Sequence, residues 1–211
     1  TLAAGIAICI VAALSVGGSL SYLSQKTENK ANTFSLTTTA LLASLTEPSW
    51  DESKAANMLP GQTTPKDPLI TNTSTGTNAC SEWIAAEVSF RYKSGANAGQ
   101  ILSDVDLYKV LDVFSVDYAA DNGGAWTRAA GNAKSATQVF VYNSVIAPGA
   151  STTKMFTTIS CSAKATETEL NAISAFGGFT IQVDGFAEQS TAFASSADFV
   201  SYMGSNSASI W

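Results

Sequence analysis

Histidine is missing from all 211 residues, and this one absence removes several chemistries. An ordinary zinc protease needs two histidines one helical turn apart, with a glutamate as base. Ser-His-Asp and Cys-His nucleophilic sites need an imidazole to carry the proton. None of these can be built from this chain. No acidic pair stands in a recognisable catalytic setting either, so enzyme activity is not expected and no small-molecule substrate is evident. Charge is scarce: Asp, Glu, Lys and Arg make up 13% of the chain, and the net charge is −6. Arg91 and Arg128 are the only arginines and the lysines are scattered. No basic patch exists to neutralise phosphates, which argues against nucleic acid. Apolar content of 45% gives no sign of intrinsic disorder.

Cysteine is almost as rare. Cys9 lies in an apolar run, where it is expected to pack as a small hydrophobe. Cys80 and Cys161 lie in a part whose export would permit a disulfide, and both outcomes stay open: a Cys80–Cys161 bridge or two free thiols. Without histidine, two remote cysteines cannot assemble a usual zinc shell, so no metal and no cofactor is expected.

What is present begins with an almost unbroken apolar run from Leu2 to Val16, followed by Gly17-Gly18-Ser19-Leu20-Ser21-Tyr22. Such a run is a secretory core region or a membrane helix, and either implies export of the remainder. At 1.5 Å per residue, Leu2 to Leu23 covers a hydrocarbon core of roughly 30 Å. No initiator Met or basic region stands ahead of the run. Processing in front of it, as in prepilins, would keep it on the mature chain; conventional cleavage would fall after Ser21. Three parts are therefore expected: a hydrophobic helix over residues 1–23, a polar linker over 24–31 and a head domain over 32–211.

Past residue 31 the period shortens. Phe34, Leu36 and Thr38 alternate with polar neighbours, and Leu41, Leu42 and Leu45 continue the apolar signal. Lys66 to Thr73 predicts a strand, as does Trp83 to Tyr92 with Ile84, Ala86, Val88 and Phe90 on one face. Val105 to Val116 is ambiguous between helix and strand. Asp121-Asn122-Gly123-Gly124 predicts a hairpin turn before Trp126. Gln138 to Ile146 and Lys154 to Ser160 predict strands joined through Ala147-Pro148-Gly149. Thr166 to Phe176 predicts a helix capped by Thr166, with Glu167 and Glu169 in its first turn and Gly177 as its stop. Phe179 to Phe186 predicts another strand, and Phe193 to Met203 a closing helix or lid. The expected fold is mainly β, an antiparallel jelly-roll-like sandwich with one inserted helix, behind an N-terminal hydrophobic α-helix.

Two weaker signals have plain explanations. Asp104, Asp106, Asp112, Asp117 and Asp121 lack the order of a calcium loop and read as a solvated sheet edge, with calcium as the alternative. Trp50, Trp83 and Trp126 read as core or contact residues, and the terminal Ile210-Trp211 as an interface plug.

Several stretches resemble one family. Gly17 to Ser24 followed by Asn32-Thr33-Phe34 is similar to the start of TasA and camelysin (CalY) type proteins, which carry a SipW-type signal sequence. Leu45 to Trp50, Leu59 to Thr63 with Lys66-Asp67-Pro68, and Val139 to Tyr142 also resemble this family. So do Ile146 to Thr152 followed by Phe156, and Glu167 to Ile173 leading into Phe179 to Val183. The resemblance implies a jelly-roll subunit of extracellular fibres in a Gram-positive biofilm matrix or cell surface. It implies that an N-terminal strand can complete a neighbour's sheet, and Asn32, Thr33, Phe34 and Leu36 are the candidate donor residues. A camelysin-like protease reading comes with the family and is disfavoured by the missing histidine.

If the apolar segment is retained, a pilin-like alternative arises. Leu2, Ile6, Ile8, Ile10, Val11 and Leu14 would bundle in a filament core, each contributing roughly 1–3 kcal/mol on burial. Gly5 stands where type IV pilins usually carry a glutamate. The expected partner is the chain itself as a helical homopolymer, with the membrane before assembly, at an extracellular location. The alternative from another class is a membrane-anchored surface domain for adhesion or binding.

Overall fold

A computed structural model describes residues 24–26, 41–56, 58–76 and 79–211. The expected hydrophobic helix over 1–23, with Leu2, Ile6, Ile8, Ile10, Val11 and Leu14, lies outside the described residues. So does the candidate donor strand with Asn32, Thr33, Phe34 and Leu36.

The protein is mainly β, with antiparallel sheets and a few helices. Its largest sheet has five strands in the order β1 (Ser24–Lys26), β10 (Phe179–Gln189), β5 (Glu82–Tyr92), β8 (Thr137–Tyr142) and β7 (Trp126–Ala130). A three-stranded sheet runs β3 (Thr63–Pro65), β9 (Thr158–Cys161) and β6 (Phe114–Val116). A ribbon pairs β2 (Ala43–Thr46) with β4 (Leu69–Asn72). The helices among the described residues are α1 (Glu52–Ala55), α2 (Asp104–Val113), α3 (Glu167–Ala175) and α4 (Ser196–Ile210).

The central pair is β5 with β10, in antiparallel register from Phe179 opposite Tyr92 to Gln189 opposite Glu82. Alternation sends Ile84, Ala86, Val88 and Phe90 of β5, with Ile181 and Val183 of β10, to one face. There they join Leu45, Ile70, Leu107, Phe140, Phe156 and Ile159 in the principal core. On the other face, Trp83, Ala85 and Phe186, with Val139 and Val141 of β8, form a second core beneath Phe199 and Met203 of α4. Both faces of β5 are dry because a C-terminal helix covers the one that period-two alternation assigns to water.

Local signals explain α3 fully. The Thr166 side chain accepts the Glu169 N–H, and the Glu169 carboxylate accepts the Thr166 N–H at 2.8 Å, so each satisfies an orphan donor of the first turn. Gly177 at φ 91° ends the helix in a conformation that costs other residues dearly. The ambiguous stretch after residue 104 resolves into both forms: α2 begins at the Ser103 cap, and Phe114 carries straight into β6.

Two expectations need correction. Asp121 to Gly124 is not a hairpin turn: Ala119–Asn122 forms a 3-10 turn closed by Gly123 at φ 71°. The strands on either side separate, β6 pairing with β9 and β7 with β8. The expected linker contains structure as well, since Ser24–Lys26 pairs with Phe186–Glu188 of β10.

Candidate functional site

The feature that stands out is a length of β10 that has no partner strand on one side among the described residues. Along one side it pairs with β5 from end to end, but on the other β1 meets only Phe186, Ala187 and Glu188. The Lys93 N–H donates to the Gly178 carbonyl at 3.1 Å, and this fixes which residues of β10 turn inward to β5. Phe179, Ile181 and Val183 therefore aim their N–H and C=O groups away from it. Among the described residues no strand meets those groups. Unpaired backbone of this kind is a template for another extended chain.

Beneath the open edge lies a cleft of about 130 Å³. One wall is β10 itself, through Phe179 and Ile181, backed by Phe114 of β6 and Ile159 of β9. The Phe114 and Phe179 rings meet edge to face at 5.1 Å. The opposite wall is built by α1 and the residues around it, Trp50, Ala55, Ala56 and Met58. That single turn is held by Asp51, whose carboxylate accepts the Ser53 N–H at 3.0 Å and its hydroxyl at 2.6 Å. The Ser53 hydroxyl is the main reason the Asp51 carboxyl lies below the usual carboxylate range.

Two polar features line the floor. Thr64 of β3 is buried, and its hydroxyl has no hydrogen-bond partner among the described residues. Lys66 is buried too, with Nζ 2.6 Å from Glu47 Oε1 and 4.5 Å from the centre of the Trp50 ring. The exposed fraction of each side chain in this ion pair is only 2–3%. Beside it Asp67 accepts the Ser49 N–H at 2.8 Å and faces Lys154 at 2.9 Å. Burial alone would raise the Asp67 carboxyl, but Lys154 and Ser49 outweigh it and hold it below the usual range. Glu52, Lys93 and Thr180 rim the opening. Carbon walls, one hydroxyl and one neutralised ion pair suit an apolar side chain projecting from an extended backbone.

Other residues singled out in the sequence are placed elsewhere. Cys161 is a free thiol buried in the principal core, so no bridge joins it to Cys80. The aspartates of the acidic stretch do not form a sheet edge. Asp104 and Asp106 sit in the first turn of α2, where Asp106 accepts the Tyr92 hydroxyl at 2.8 Å and pairs with Lys109 at 2.7 Å. Asp117 accepts the Thr157 and Thr158 N–H groups, and Asp121 holds Arg128. Asp106, Asp117 and Asp121 each hold donors of their own, and among the described residues no group of three or more such side chains gathers as a metal site. Trp211, expected as an interface plug, packs on Phe186 of its own chain with ring centres 6.2 Å apart.

Sequence reasoning did not foresee the Lys66–Glu47 pair, the Thr64 hydroxyl or the open edge of β10. Glu47 and Lys66 fall in stretches singled out only for their family resemblance and, for Lys66 to Thr73, as an expected strand.

No family model, no curated protein and no solved structure matches this chain. Among the described residues no helix is long and apolar enough to cross a membrane.

Proposed function

We propose that this chain is the structural subunit of an extracellular cell-surface filament, a homopolymer of the biofilm-fibre or pilus-like kind. The observation that carries the proposal is the open β10 edge lying over an apolar cleft. A donated strand satisfies the N–H and C=O groups of Phe179, Ile181 and Val183 and covers carbon walls that otherwise face water.

The segment Asn32 to Leu36 has the pattern such a strand requires. Phe34 and Leu36 fall on one face and Thr33 and Ser35 on the other. β10 offers the same alternation, with Phe179 and Ile181 toward the cleft, Thr180 at its rim and Gln182 outside its lining. Completion by that strand would close the layers as a jelly-roll-like sandwich. Leu2, Ile6, Ile8, Ile10, Val11 and Leu14 supply a second means of assembly, bundling between subunits after residence in the membrane.

The test is electron cryomicroscopy of material sheared from cells, with three chains compared: the full chain, a chain truncated before Ser24, and Ile181→Pro. Proline at 181 removes an N–H that points away from β5, which an edge strand tolerates. Uniform filaments from the full chain, lost in Ile181→Pro while its melting temperature stays within a few degrees, are the expected outcome. Filaments lost only on truncation assign assembly to the hydrophobic segment. No filaments from the full chain overturns the proposal.

A further inference from the structure

The Asn122-Gly123 step, a turn signal that makes no hairpin here, carries chemistry of its own. It is the only asparagine followed by glycine in the sequence. Asparagine is among the thermolabile residues, because the backbone nitrogen of the next residue can attack its carboxamide carbon. Glycine in that next position removes the side chain that would hinder the approach. Nothing else crowds the step: a Cβ built on Gly123 would meet no atom within 4 Å. Asn122 and Gly123 are both exposed, so water reaches them.

The 3-10 turn over Ala119–Asn122 restrains both reacting groups. The Asn122 carboxamide donates through Nδ2 to the Tyr118 carbonyl at 3.2 Å, which draws the side chain back along the turn. The Gly123 N–H, the group that would attack, donates to the Ala119 carbonyl. That carbonyl accepts the Gly124 N–H as well, at 2.8 Å. Arg128 holds the turn from β7 through two hydrogen bonds to Asp121, at 2.6 and 3.0 Å. At the start of the turn, the Ala119 N–H donates to the Met155 carbonyl at 2.8 Å, and the buried Tyr118 ring stacks on Phe140.

We infer that Asn122-Gly123 is a deamidation site withheld by this turn: opening the turn frees the Gly123 nitrogen and the Asn122 carboxamide together, and the reaction that follows is irreversible. Base in the solvent takes the Gly123 amide proton, and the nitrogen attacks Asn122 Cγ. The N–Cγ bond forms, the Cγ–Nδ2 bond breaks, and ammonia leaves with a proton returned from solvent. Water then opens the cyclic imide at either carbonyl. This restores the Gly123 N–H and leaves aspartate or isoaspartate at position 122.

The product is a poor fit to the turn it came from. A carboxylate stands where an amide donated, and it faces the Tyr118 carbonyl oxygen with no hydrogen to offer. It also adjoins Asp121 and competes with it for Arg128. Isoaspartate lengthens the backbone besides. Nothing in the site depends on the filament proposal.

The experiment is peptide mapping by mass spectrometry, with isoaspartyl methyltransferase labelling, of the full chain kept in detergent at mildly alkaline pH. A synthetic peptide carrying residues 117–127 is followed in parallel, and every chain is compared with the peptide of its own sequence. The wild-type chain should gain isoaspartate at position 122 about tenfold more slowly than its peptide, or slower still, since several hydrogen bonds must open together. Two variants loosen the turn from different sides. Asp121→Ala removes the hold of Arg128. Gly124→Ala puts a Cβ 2.7 Å from the Ala119 carbonyl oxygen and displaces the N–H that bonds there. Both should recover much of the peptide's rate while circular dichroism stays that of the folded chain. A wild-type chain that deamidates as fast as its peptide overturns the inference. So do two folded variants that keep the wild type's slow rate, or a peptide that gains no isoaspartate.

Discussion

Replacing Glu47 by Gln should be among the most damaging single changes this protein can suffer. The Lys66 ammonium has its nearest carboxylate oxygen at 2.6 Å, and the lysine side chain is 2% exposed. Removing the negative charge leaves an ammonium in a dry site, facing the Trp50 ring and the apolar cleft. Loss of one partner of a buried ion pair costs about 3–5 kcal/mol, since the desolvation of the other is no longer offset. For a domain of this size each kcal/mol moves Tm by roughly 2–4 °C, so Glu47→Gln should melt roughly 10 °C below wild type. Lys66→Met should do comparable harm by leaving the Glu47 carboxylate behind. The informative chain is the double variant Glu47→Leu with Lys66→Met, which fills the space with carbon and leaves no charge. It should return to within about 1 kcal/mol of wild type, or exceed it. The measurement is equilibrium denaturation followed by near-UV circular dichroism on all four chains. A double variant as unstable as the singles would refute the reasoning, because the cost would then belong to shape and not to charge.

Global stability should also depend on pH. Glu82 and Glu188 move from an ordinary 4.5 to about 8 on folding, so the native state keeps protons that the unfolded chain gives up. Their contribution is fully present below about pH 4.5 and is lost as pH rises to about 8; Glu82→Gln with Glu188→Gln should flatten that decline in denaturant midpoints. Thr166→Ala deletes the hydroxyl that caps α3 and should cost about 1 kcal/mol, read as a shift in midpoint with unchanged slope. Gly204 lies in α4, where an added Cβ would stand 2.8 Å from the Ala129 carbonyl oxygen. Gly204→Ala gains helix propensity of about 1 kcal/mol but forces the helix off the sheet, and the overpacking of about 1–3 kcal/mol should win. Tryptophan fluorescence from Trp83, which touches Phe199 of α4, would report the displacement.

What could be read in the sequence was local, and what could not was the choice of partners. Thr166, Glu169 and Gly177 lie within one short segment and specify α3 by themselves. The alternation of Trp83 to Tyr92 and of Phe179 to Phe186 marks both central strands, yet it could not reveal that their second face is covered. That cover, α4, contains five serines, a glycine and an asparagine between Ser196 and Ile210, so its helix is imposed by Phe199 and Met203 packing on the sheet. Asn122-Gly123 carries a strong turn signal. The hairpin failed because Phe114 finds Cys161 and Trp126 finds Tyr142, pairings that no local motif encodes. Lys66 and Glu47 meet for the same reason, 19 positions apart with nothing local to announce one to the other.

The pairing of β5 with β10 has a kinetic meaning. The Trp83 indole donates to the Ser190 carbonyl across 107 positions of sequence, and the strands between these residues pair along their whole length. Loop closure on that scale must precede any return in burial, so folding should be slow compared with a helical protein of equal size. During synthesis β5 waits, with β8 on one side, until almost the last residues arrive. Only then can β10 occupy its other side, and only after that is there a surface on which residues 196–210 become helical. A chain stopped short of β10 is therefore left with the edge of its most apolar strand exposed, and should aggregate instead of persisting as a partly folded monomer.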